Sequence, residues 1–232
     1  MDTLALVFTY NEAQNIKNII DKILNCGIKD IEVLVVDDTS PDGTWQIVQD
    51  LAKGNEKIHL LLREKKEGRG AAGIDGFKNA IKMGPKFIVE MDADGSHNPK
   101  YIKEFRKQIE TYDVIIGSRF VKGGQDVDRG FFRRSLSLFA EKYIQFWLNI
   151  KVKDASSGFR MFRTEILNNI VNKLSAKDYF IVPETLYYLI KSGAKIKEVP
   201  IQFVDRKVGK SKVTFHIMFD SLIRPILLRI RG

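Results

Sequence analysis

Two aspartates stand one residue apart in the stretch MDADGSHNP, residues 91–99, which follows the apolar run KFIV at residues 86–89. Carboxylates this close repel each other unless a positive charge lies between them. Mg²⁺ and Mn²⁺ prefer oxygen ligands and often bind substrate phosphates at the same time. Asp92 and Asp94 are therefore predicted to bind a divalent cation. The alternative is a solvated loop in which one aspartate caps the helix that Pro99 opens.

A second acidic pair, Asp37 and Asp38, ends the apolar run IEVLVVDD. Acidic side chains at the end of a buried strand commonly hold the ribose or base of a nucleotide. We expect this role more for Asp37 than for Asp38. The alternative is turn chemistry, in which Asp38 and Ser40 bond the backbone of TSPDGT.

The elements that must position these residues are short apolar segments followed by polar ones. They predict buried strands at residues 4–9, 31–38, 58–63, 86–92 and 113–118, with amphipathic helices between them. Strands that are apolar on both faces and alternate with helices indicate an α/β fold, with a mostly parallel central sheet covered by helices on both faces. In such a sheet the ligand lies beyond the carboxyl ends of the strands, where charged residues follow these segments.

The second half of the chain is less regular. It predicts a charged, glycine-rich segment at 120–131, helices at 132–148 and 183–192, and strands at 157–162 and 196–203. Because no linker or repeat divides the chain, we expect one domain. Its first half should carry the chemistry and its second half should shape the acceptor site.

Two further segments have both a functional and an ordinary interpretation. GRGAAG, residues 68–73, departs from the dinucleotide and phosphate-loop patterns, and its small residues are expected to allow close packing against a nucleotide-sugar or the sheet. The stretch DRKVGKSK, residues 205–212, could form a basic flap that closes over a diphosphate, or an ordinary solvated loop. His97 is expected to be a hydrogen-bonding loop residue rather than a general base.

Composition narrows the possible partners. The 232-residue chain has 44% hydrophobic residues, enough for a sizeable core. Its net charge of +9 favours anionic partners such as nucleic acid, phosphorylated substrates or an acidic membrane surface. Dispersed charges and the lack of a binding signature disfavour nucleic acid. A single cysteine, Cys26, excludes an internal disulfide, so we expect a reducing cytoplasm. The acidic start disfavours an export signal, and no apolar run is long enough for a membrane span.

Eight stretches carry a resemblance, because they occur together and in this order: TYNEAQNI, VVDDTSPDGT, GRGAAG, MDAD, IIGSRF, DASSGFRMF, EVPIQFVDR and GKSK. The chain is similar, over residues 4–212, to the polyprenyl-phosphate sugar synthases of inverting glycosyltransferase family 2, and among them to the dolichol-phosphate mannose synthases. The resemblance implies the single-domain, nucleotide-sugar-binding A-type fold of these enzymes.

The donor implied by the resemblance is a nucleotide-sugar, with GDP-mannose preferred. The residues implied to bind it are Thr9, Tyr10, Glu12, Val36, Asp37, Asp92, Ala93, Asp94, Arg206 and Lys212. The implied cofactor is Mg²⁺ or Mn²⁺, bound by Asp92, Asp94 and Ser96. Many members have a glutamine ligand in place of Ser96, and a serine hydroxyl is a weaker ligand.

The implied acceptor is the phosphate of a membrane-embedded polyprenol, held by Arg119, Arg133 and Ser137. Asp94, Arg119 and Arg206 are the implied catalytic residues. A phosphomonoester is already a dianionic nucleophile near neutral pH, so the enzyme needs positioning and charge neutralisation rather than a general base. Direct displacement inverts the anomeric centre. The alternatives are a UDP-glucose-dependent polyprenyl-phosphate glucosyltransferase, a transferase with a soluble acceptor and a non-catalytic nucleotide-sugar-binding protein.

The last segment, residues 213–232, is predicted to be an amphipathic helix outside a catalytic domain of residues 1–212. Pro225 is expected to end or kink it. One interpretation is a helix packed on the sheet, and the other is a helix at the membrane surface, with apolar side chains in the lipid boundary and arginines at anionic headgroups. The second places the protein peripherally on the cytoplasmic face of a membrane, with or without a membrane-anchoring partner subunit.

Overall fold

A computed structural model describes residues 1–127, 131–204 and 223–230, without the side chains of 131–134 and 136. The strands are β1 Thr3–Thr9, β2 Ile31–Asp37, β3 Ile58–Leu62, β4 Phe87–Asp92, β5 Val114–Ser118, β6 Gln125–Val127, β7 Arg160–Arg163, β8 Ile196–Pro200 and β9 Gln202–Val204. The five strands predicted in the first half are all present, with ends that differ from the predicted ones by one residue at most.

Helices connect these strands. They are α1 Ile16–Leu24, α2 Thr44–Gly54, α3 Arg69–Lys82, α4 Ile102–Gln108, α5 Phe131–Leu148, α6 Thr164–Asn168 and α7 Ile181–Lys191, with short 3₁₀ turns at Pro99–Tyr101 and Val171–Lys173. Residues 223–230 form one more helical segment, the C-terminal helix. Pro225 lies within this segment, whereas residues 205–222 lie outside the described residues, so the prediction that Pro225 ends or kinks a helix of residues 213–232 stays a prediction.

The main sheet has seven strands in the order β3-β2-β1-β4-β7-β5-β8. Neighbours pair in parallel except at β7, which runs antiparallel to both β4 and β5. The expected mostly parallel sheet is therefore confirmed. Because β7 is reversed, its first residue, Arg160, lies at the same level as Glu90 near the carboxyl end of β4.

Buried apolar side chains cover both faces of the sheet. Leu4, Leu6 and Phe8 of β1 belong to one core cluster, whereas the alternating residues Ala5 and Val7 belong to the other. This is the burial expected of a central strand with helices on both sides.

The predicted strand 196–203 is two strands. The N–H of Ile201 donates to Ser118 O on β5, and its carbonyl accepts from Gln125 N at the start of β6. The chain therefore leaves β5 at Ile201 and continues as β9, which pairs with β6 in a separate two-stranded sheet. A continuous apolar pattern in the sequence does not show that the chain changes its pairing strand partway along.

The GRGAAG segment packs against the loop before α7. The N–H of Gly70 donates to Lys177 O at 3.0 Å, and a Cβ at Gly70 would lie 2.1 Å from Ala176 O. Farther along α3, a Cβ at Gly76 would lie 2.9 Å from the Phe8 ring on the sheet. The close packing is found, but Gly68 and Gly70 of this segment pack against a protein loop, and the contact with the sheet is made by Gly76 beyond the segment.

The proposed boundary at residue 212 lies outside the described residues, so the division into 1–212 and 213–232 stays a prediction. Within the described ranges, none of the helices is long and apolar enough to cross a membrane.

Candidate active site

The carboxyl ends of β1, β2 and β4 meet at one edge of the sheet, and the loops that follow β1 and β2 are joined by hydrogen bonds. Asn11 N donates to Ser40 Oγ at 3.0 Å, Glu12 N donates to Thr44 Oγ1 at 2.9 Å, and Ala13 N donates to an Asp42 carboxylate oxygen at 3.0 Å. These bonds fix the rim at which the sequence placed the nucleoside.

Asp92 is the last residue of β4 and Asp94 lies in the loop after it, as expected, and neither of them caps the next helix. Asn98 does so, because its side chain accepts from Lys100 N. The alternative in which an aspartate of this loop caps the helix is therefore wrong. The Asp92 side chain is 40% exposed, and Asp94 Oδ1 accepts from both the N–H and the hydroxyl of Ser96, at 3.0 and 2.6 Å.

This loop fits a divalent cation that is shared with a substrate. Mg²⁺ is typically bound by one or two carboxylates, substrate phosphates and water. Asp92 and Asp94 supply two carboxylates, and the Ser96 hydroxyl lies beside Asp94. A group of three or more acidic, histidine or cysteine side chains that could bind a metal by itself was not found among the described residues. The residues present thus fit a cation bound together with a diphosphate.

Asp37 and Asp38 occupy different environments. Asp37 is fully buried, and its carboxylate accepts from Thr9 Oγ1 and from the hydroxyl and N–H of Ser40, each at 2.7 Å. These bonds hold the ends of β1 and β2 together. The turn alternative named Asp38 and Ser40, whereas the carboxylate that accepts from the turn backbone, at Ser40 N, is that of Asp37. Its nucleoside contact stays a prediction, as does that of the equally buried Val36.

Asp38 forms an ion pair with Arg63 at 2.5 Å through Oδ1. Burial raises the pKa of Asp38 above its ordinary value, although Arg63 acts in the opposite direction. Arg63 also contacts Glu67 and Asp75, at 3.0 and 2.8 Å. The sequence showed a charge at the end of β3 but not these three carboxylate partners.

Tyr10 and Glu12 lie on the rim, half-buried. The ammonium group of Lys66 lies 3.6 Å from the centroid of the Tyr10 ring, and Glu12 accepts from Asn15 at 2.8 Å. Both side chains are at the edge where a nucleoside is expected. Ala93, by contrast, is buried within the loop.

His97 is buried beneath this loop and stacks on Phe159, with ring centroids 5.1 Å apart. Its Nδ1 accepts from Asp92 N at 3.0 Å, and burial lowers its pKa. The prediction that His97 is a hydrogen-bonding loop residue is confirmed.

A buried ion cluster lies under the site, and sequence reasoning missed it. Glu90 accepts from Arg160 at 2.5 and 3.0 Å and from Arg69 at 2.7 Å. Burial alone would raise the pKa of Glu90, but Arg160 and Arg69 outweigh it and lower this pKa. The signal was an acidic residue inside the apolar segment FIVEM, residues 87–91, because a buried carboxylate needs a partner.

Arg119, the predicted acceptor-phosphate residue, is held by Asp154. Its Nε and Nη2 donate to the two Asp154 oxygens at 2.9 and 2.7 Å, and Nη2 also donates to Ser156 Oγ at 3.0 Å. The Arg119 side chain is only 8% exposed. A phosphate would have to share this guanidinium with Asp154, so the acceptor role of Arg119 stays a prediction.

Glu141 of α5 orders the loop that carries Asp154. Its carboxylate accepts from Ala155 N and Ser156 N at 2.8 and 3.1 Å. Burial and the nearby charge of Asp154 raise the pKa of Glu141 to about 7. Nothing in the sequence pattern of α5 distinguished this glutamate from a surface residue.

The predicted acceptor site around Arg119, Arg133 and Ser137 is described only in part. A pocket of about 230 Å³ opens beside Arg119, and Phe120 and residues 124–127 also line it. Ser137 is half-buried on α5. The side chain of Arg133 and all of Arg206 and Lys212 lie outside the described residues, so the basic flap stays a prediction.

The family model for glycosyl transferase family 2 matches residues 5–171. The chain belongs to this family and is a glycosyltransferase, as the resemblance implied.

Relatives of nearly full length narrow the comparison. The chain is 33% identical over 96% of its length to an undecaprenyl-phosphate mannosyltransferase from Micrococcus luteus, covering 92% of that protein. It is 34% identical over 99% of its length to a polyprenol monophosphomannose synthase from Mycolicibacterium smegmatis, covering 88% of it. The predicted resemblance to polyprenyl-phosphate glycosyltransferases is confirmed.

Solved structures share the fold. One is S. aureus TarS, residues 1–349, in complex with UDP-GlcNAc, with a TM-score of 0.67 at 21% identity, covering 100% of this chain and 67% of that one. Another is the mannosyltransferase PcManGT from Pyrobaculum calidifontis in complex with GDP-Man and Mn²⁺, with a TM-score of 0.62 at 20% identity, covering 99% and 64%. At these identities the likeness supports the A-type glycosyltransferase fold alone.

Proposed function

We propose that this glycosyltransferase transfers mannose from GDP-mannose to a polyprenyl phosphate with inversion at the anomeric carbon. The observation that carries the proposal is the Asp92–Asp94 pair at the end of β4, which is not used for helix capping and has one carboxylate 40% exposed. The names of the two near-full-length relatives support mannose as the sugar and a polyprenyl phosphate as the acceptor.

The donor is expected at the edge formed by β1, β2 and β4. The rim at Tyr10 and Glu12 is expected to receive the nucleoside, with Asp37 as the acidic residue at the end of β2. Asp92 and Asp94 lie at the position of the diphosphate. These two carboxylates would hold Mg²⁺ or Mn²⁺, which would supply positive charge to the leaving diphosphate.

The acceptor is expected on the other side of β4, near Arg119. A phosphate dianion needs no general base, which agrees with the buried position of His97. The task of the protein is to place the phosphate oxygen in line with the bond that breaks at C1, and to neutralise charge while that bond breaks. Attack from the face opposite the leaving diphosphate inverts the anomeric carbon, so an α-linked donor gives a β-linked product.

A membrane surface is the expected location of the acceptor. Phe139 and Phe146 of α5 are 64% and 73% exposed, and Ile230 of the C-terminal helix is 76% exposed. Arg229 donates to the carbonyls of Phe146 and Trp147, so the two helices are joined where these apolar side chains emerge. We define this apolar surface as Leu138, Phe139, Phe146, Ile223, Leu227 and Ile230.

Both interpretations of the last segment have support. Leu228 is buried in the same core cluster as Leu148 and Ile150, and this burial supports the packed-helix interpretation. Leu227 and Ile230 point away from this cluster and are exposed, as an interfacial helix requires. We infer a packed helix whose outer face contacts lipid, and hence a protein peripheral to a membrane. A membrane-anchoring partner subunit stays a prediction.

The proposal is tested by one assay matrix with the full chain. GDP-mannose and UDP-glucose are each combined with dolichyl and undecaprenyl phosphate, in the presence of Mg²⁺, Mn²⁺ or a chelator, and the product anomer is determined by NMR. We expect mannosyl transfer only, metal dependence and a β-linked product. Transfer from UDP-glucose alone would establish the glucosyltransferase alternative, and donor binding without any turnover would establish a non-catalytic binding protein.

A further inference from the structure

The buried cluster under the site carries an unbalanced charge. Glu90 is fully buried and accepts from two guanidiniums, those of Arg69 and Arg160. Arg160 also donates to Val182 O, and it is itself 1% exposed. One carboxylate cannot neutralise two arginines, so the cluster retains one net positive charge. A buried surplus charge is unfavourable unless another group compensates it.

The surplus positive charge of this cluster lies next to Asp92. Arg69 Nε lies 3.6 Å from Asp92 Oδ1, and the Arg69 side chain is only 13% exposed. Its guanidinium lies over the Phe8 ring, with the central carbon 3.7 Å from the ring centroid. The Arg69 group is thus held between Glu90, Phe8 and Asp92, which fixes its orientation.

The local sequence is adapted to this arrangement. A Cβ at Gly73 would lie 3.2 Å from Arg69 Nη1, so a larger residue there would crowd the guanidinium. Arg69 is also the first residue of α3, where a positive side chain is unfavourable next to the helix dipole. Helix stability therefore does not explain this arginine.

We propose that Arg69 is a positioning residue for Asp92. It holds this carboxylate in one orientation in the donor-free protein, and its own guanidinium places the surplus positive charge of the Glu90–Arg69–Arg160 cluster where the donor diphosphate arrives. This inference rests on the proposed function, because it assumes that Asp92 serves the cation and the diphosphate. It follows that Arg69 weakens cation binding before the donor is present, yet favours turnover once it is bound.

Two measurements on the full chain separate this role from a merely structural one. Binding of Mn²⁺ to the donor-free protein is followed by the EPR signal of free Mn²⁺, and kcat is measured with saturating GDP-mannose and polyprenyl phosphate. For Arg69→Met we expect Mn²⁺ affinity to rise by about tenfold, because a positive charge near the carboxylates is gone, while kcat falls by about tenfold or more. A residue needed only for folding would lower both.

Controls address charge and folding. Lys82→Met removes one positive charge from the exposed other end of α3 and should leave both quantities within about twofold of the wild type. Arg69→Lys keeps the charge but loses the two-sided contact, so Mn²⁺ affinity should stay near the wild-type value while kcat falls. Thermal unfolding shows whether each variant is folded. If Arg69→Met does not fold, the kcat of Arg69→Lys tests the inference instead.

The outcomes are distinct. Unchanged Mn²⁺ affinity in Arg69→Met, or wild-type kcat in Arg69→Lys, overturns the inference while leaving the proposed function intact. Wild-type protein that binds no Mn²⁺ with or without GDP also overturns it. The failure of the proposed function itself is a different result, because it appears as absent mannosyl transfer by the wild type.

Discussion

Arg119 and Asp154 form a two-point ion pair, with Nε and Nη2 of the arginine 2.9 and 2.7 Å from the two carboxylate oxygens. The Asp154 carboxylate also accepts from Arg119 N at 2.8 Å. The end of β5 and the start of the 154–159 loop are thereby fixed to each other. Arg119, which is predicted to bind the acceptor phosphate, is thus oriented by the Asp154 carboxylate. This is the arrangement expected of a precisely positioned cation.

The first prediction concerns this pair. Arg119→Ala should lower transfer to polyprenyl phosphate by at least about 100-fold, because the acceptor phosphate loses its positive partner. Affinity for GDP in the presence of metal should change by less than about threefold, since Arg119 lies on the acceptor side. Transfer assays and calorimetry measure the two quantities, and Ser156→Ala, which removes only the third contact of Arg119, is the control. A loss of GDP affinity as large as the loss of transfer would contradict the assignment.

The second prediction concerns the loop after β4. Asp94→Asn should lower turnover by at least about 100-fold with the fold intact, because a neutral amide is a poor ligand for a divalent cation. Ser96→Ala should cost about tenfold or less if the hydroxyl is only an auxiliary ligand. Initial rates are measured over a range of Mg²⁺ and Mn²⁺ concentrations. Full activity of Asp94→Asn, or of the wild type in excess chelator, would show that no cation acts here.

The third prediction follows from Glu141, whose pKa is raised from 4.5 to about 7 in the folded protein. An unfolded glutamate loses its proton near pH 4.5, so between pH 4.5 and 7 the folded state binds more protons and stability falls as pH rises. The burial of Glu141 therefore costs about 3 kcal/mol above pH 7 and nothing below pH 4.5.

Thermal unfolding at pH 5 and pH 8 measures this effect against Glu141→Gln, whose side chain does not titrate. The melting temperature of the wild type relative to the variant should be lower at pH 8 than at pH 5. Glu56→Gln, an exposed surface change on the α2–β3 connection, should follow the wild type at both pH values. A constant difference between wild type and Glu141→Gln would show that the carboxyl does not titrate in this range.

The fourth prediction concerns the cluster around Glu90. Glu90→Gln leaves the buried guanidiniums of Arg69 and Arg160 without their carboxylate, so unfolding free energy should fall by about 3–5 kcal/mol. Glu110→Gln breaks the exposed pair with Arg106, in which Glu110 is 60% exposed, and should cost less than about 1 kcal/mol. Urea denaturation compares the two variants. Equal losses would mean that the buried cluster contributes no more than a surface pair.

The sequence predicted more of the fold than of the site. Apolar runs bounded by turn residues located the strands in the first half of the chain, because buried parallel strands are continuous apolar runs such as LALVFT and IEVLVVDD. The same signals located Asp92 and Asp94, since strand ends meet at one edge. The partners Glu90–Arg160 and Arg119–Asp154 are separated by 70 and 35 residues. Only the reversed insertion of β7 brings them together, and no local pattern encodes that topology.

The last prediction concerns the apolar surface on α5 and the C-terminal helix. Phe146 is 73% exposed and Ile230 76% exposed, and burying such side chains in a lipid boundary releases about 25 cal/mol per Å² of apolar area. Basic residues near an anionic surface add roughly 1 kcal/mol each, and this attraction weakens with salt. Phe146→Asp combined with Ile230→Asp should therefore abolish co-sedimentation of the full chain with anionic vesicles at low salt, while GDP binding is unchanged. Leu62→Asp, which places one such charge on the exposed edge strand β3, should co-sediment like the wild type. Equal sedimentation of all three proteins would show that this surface does not contact lipid, and the C-terminal helix would then serve the core alone through Leu228.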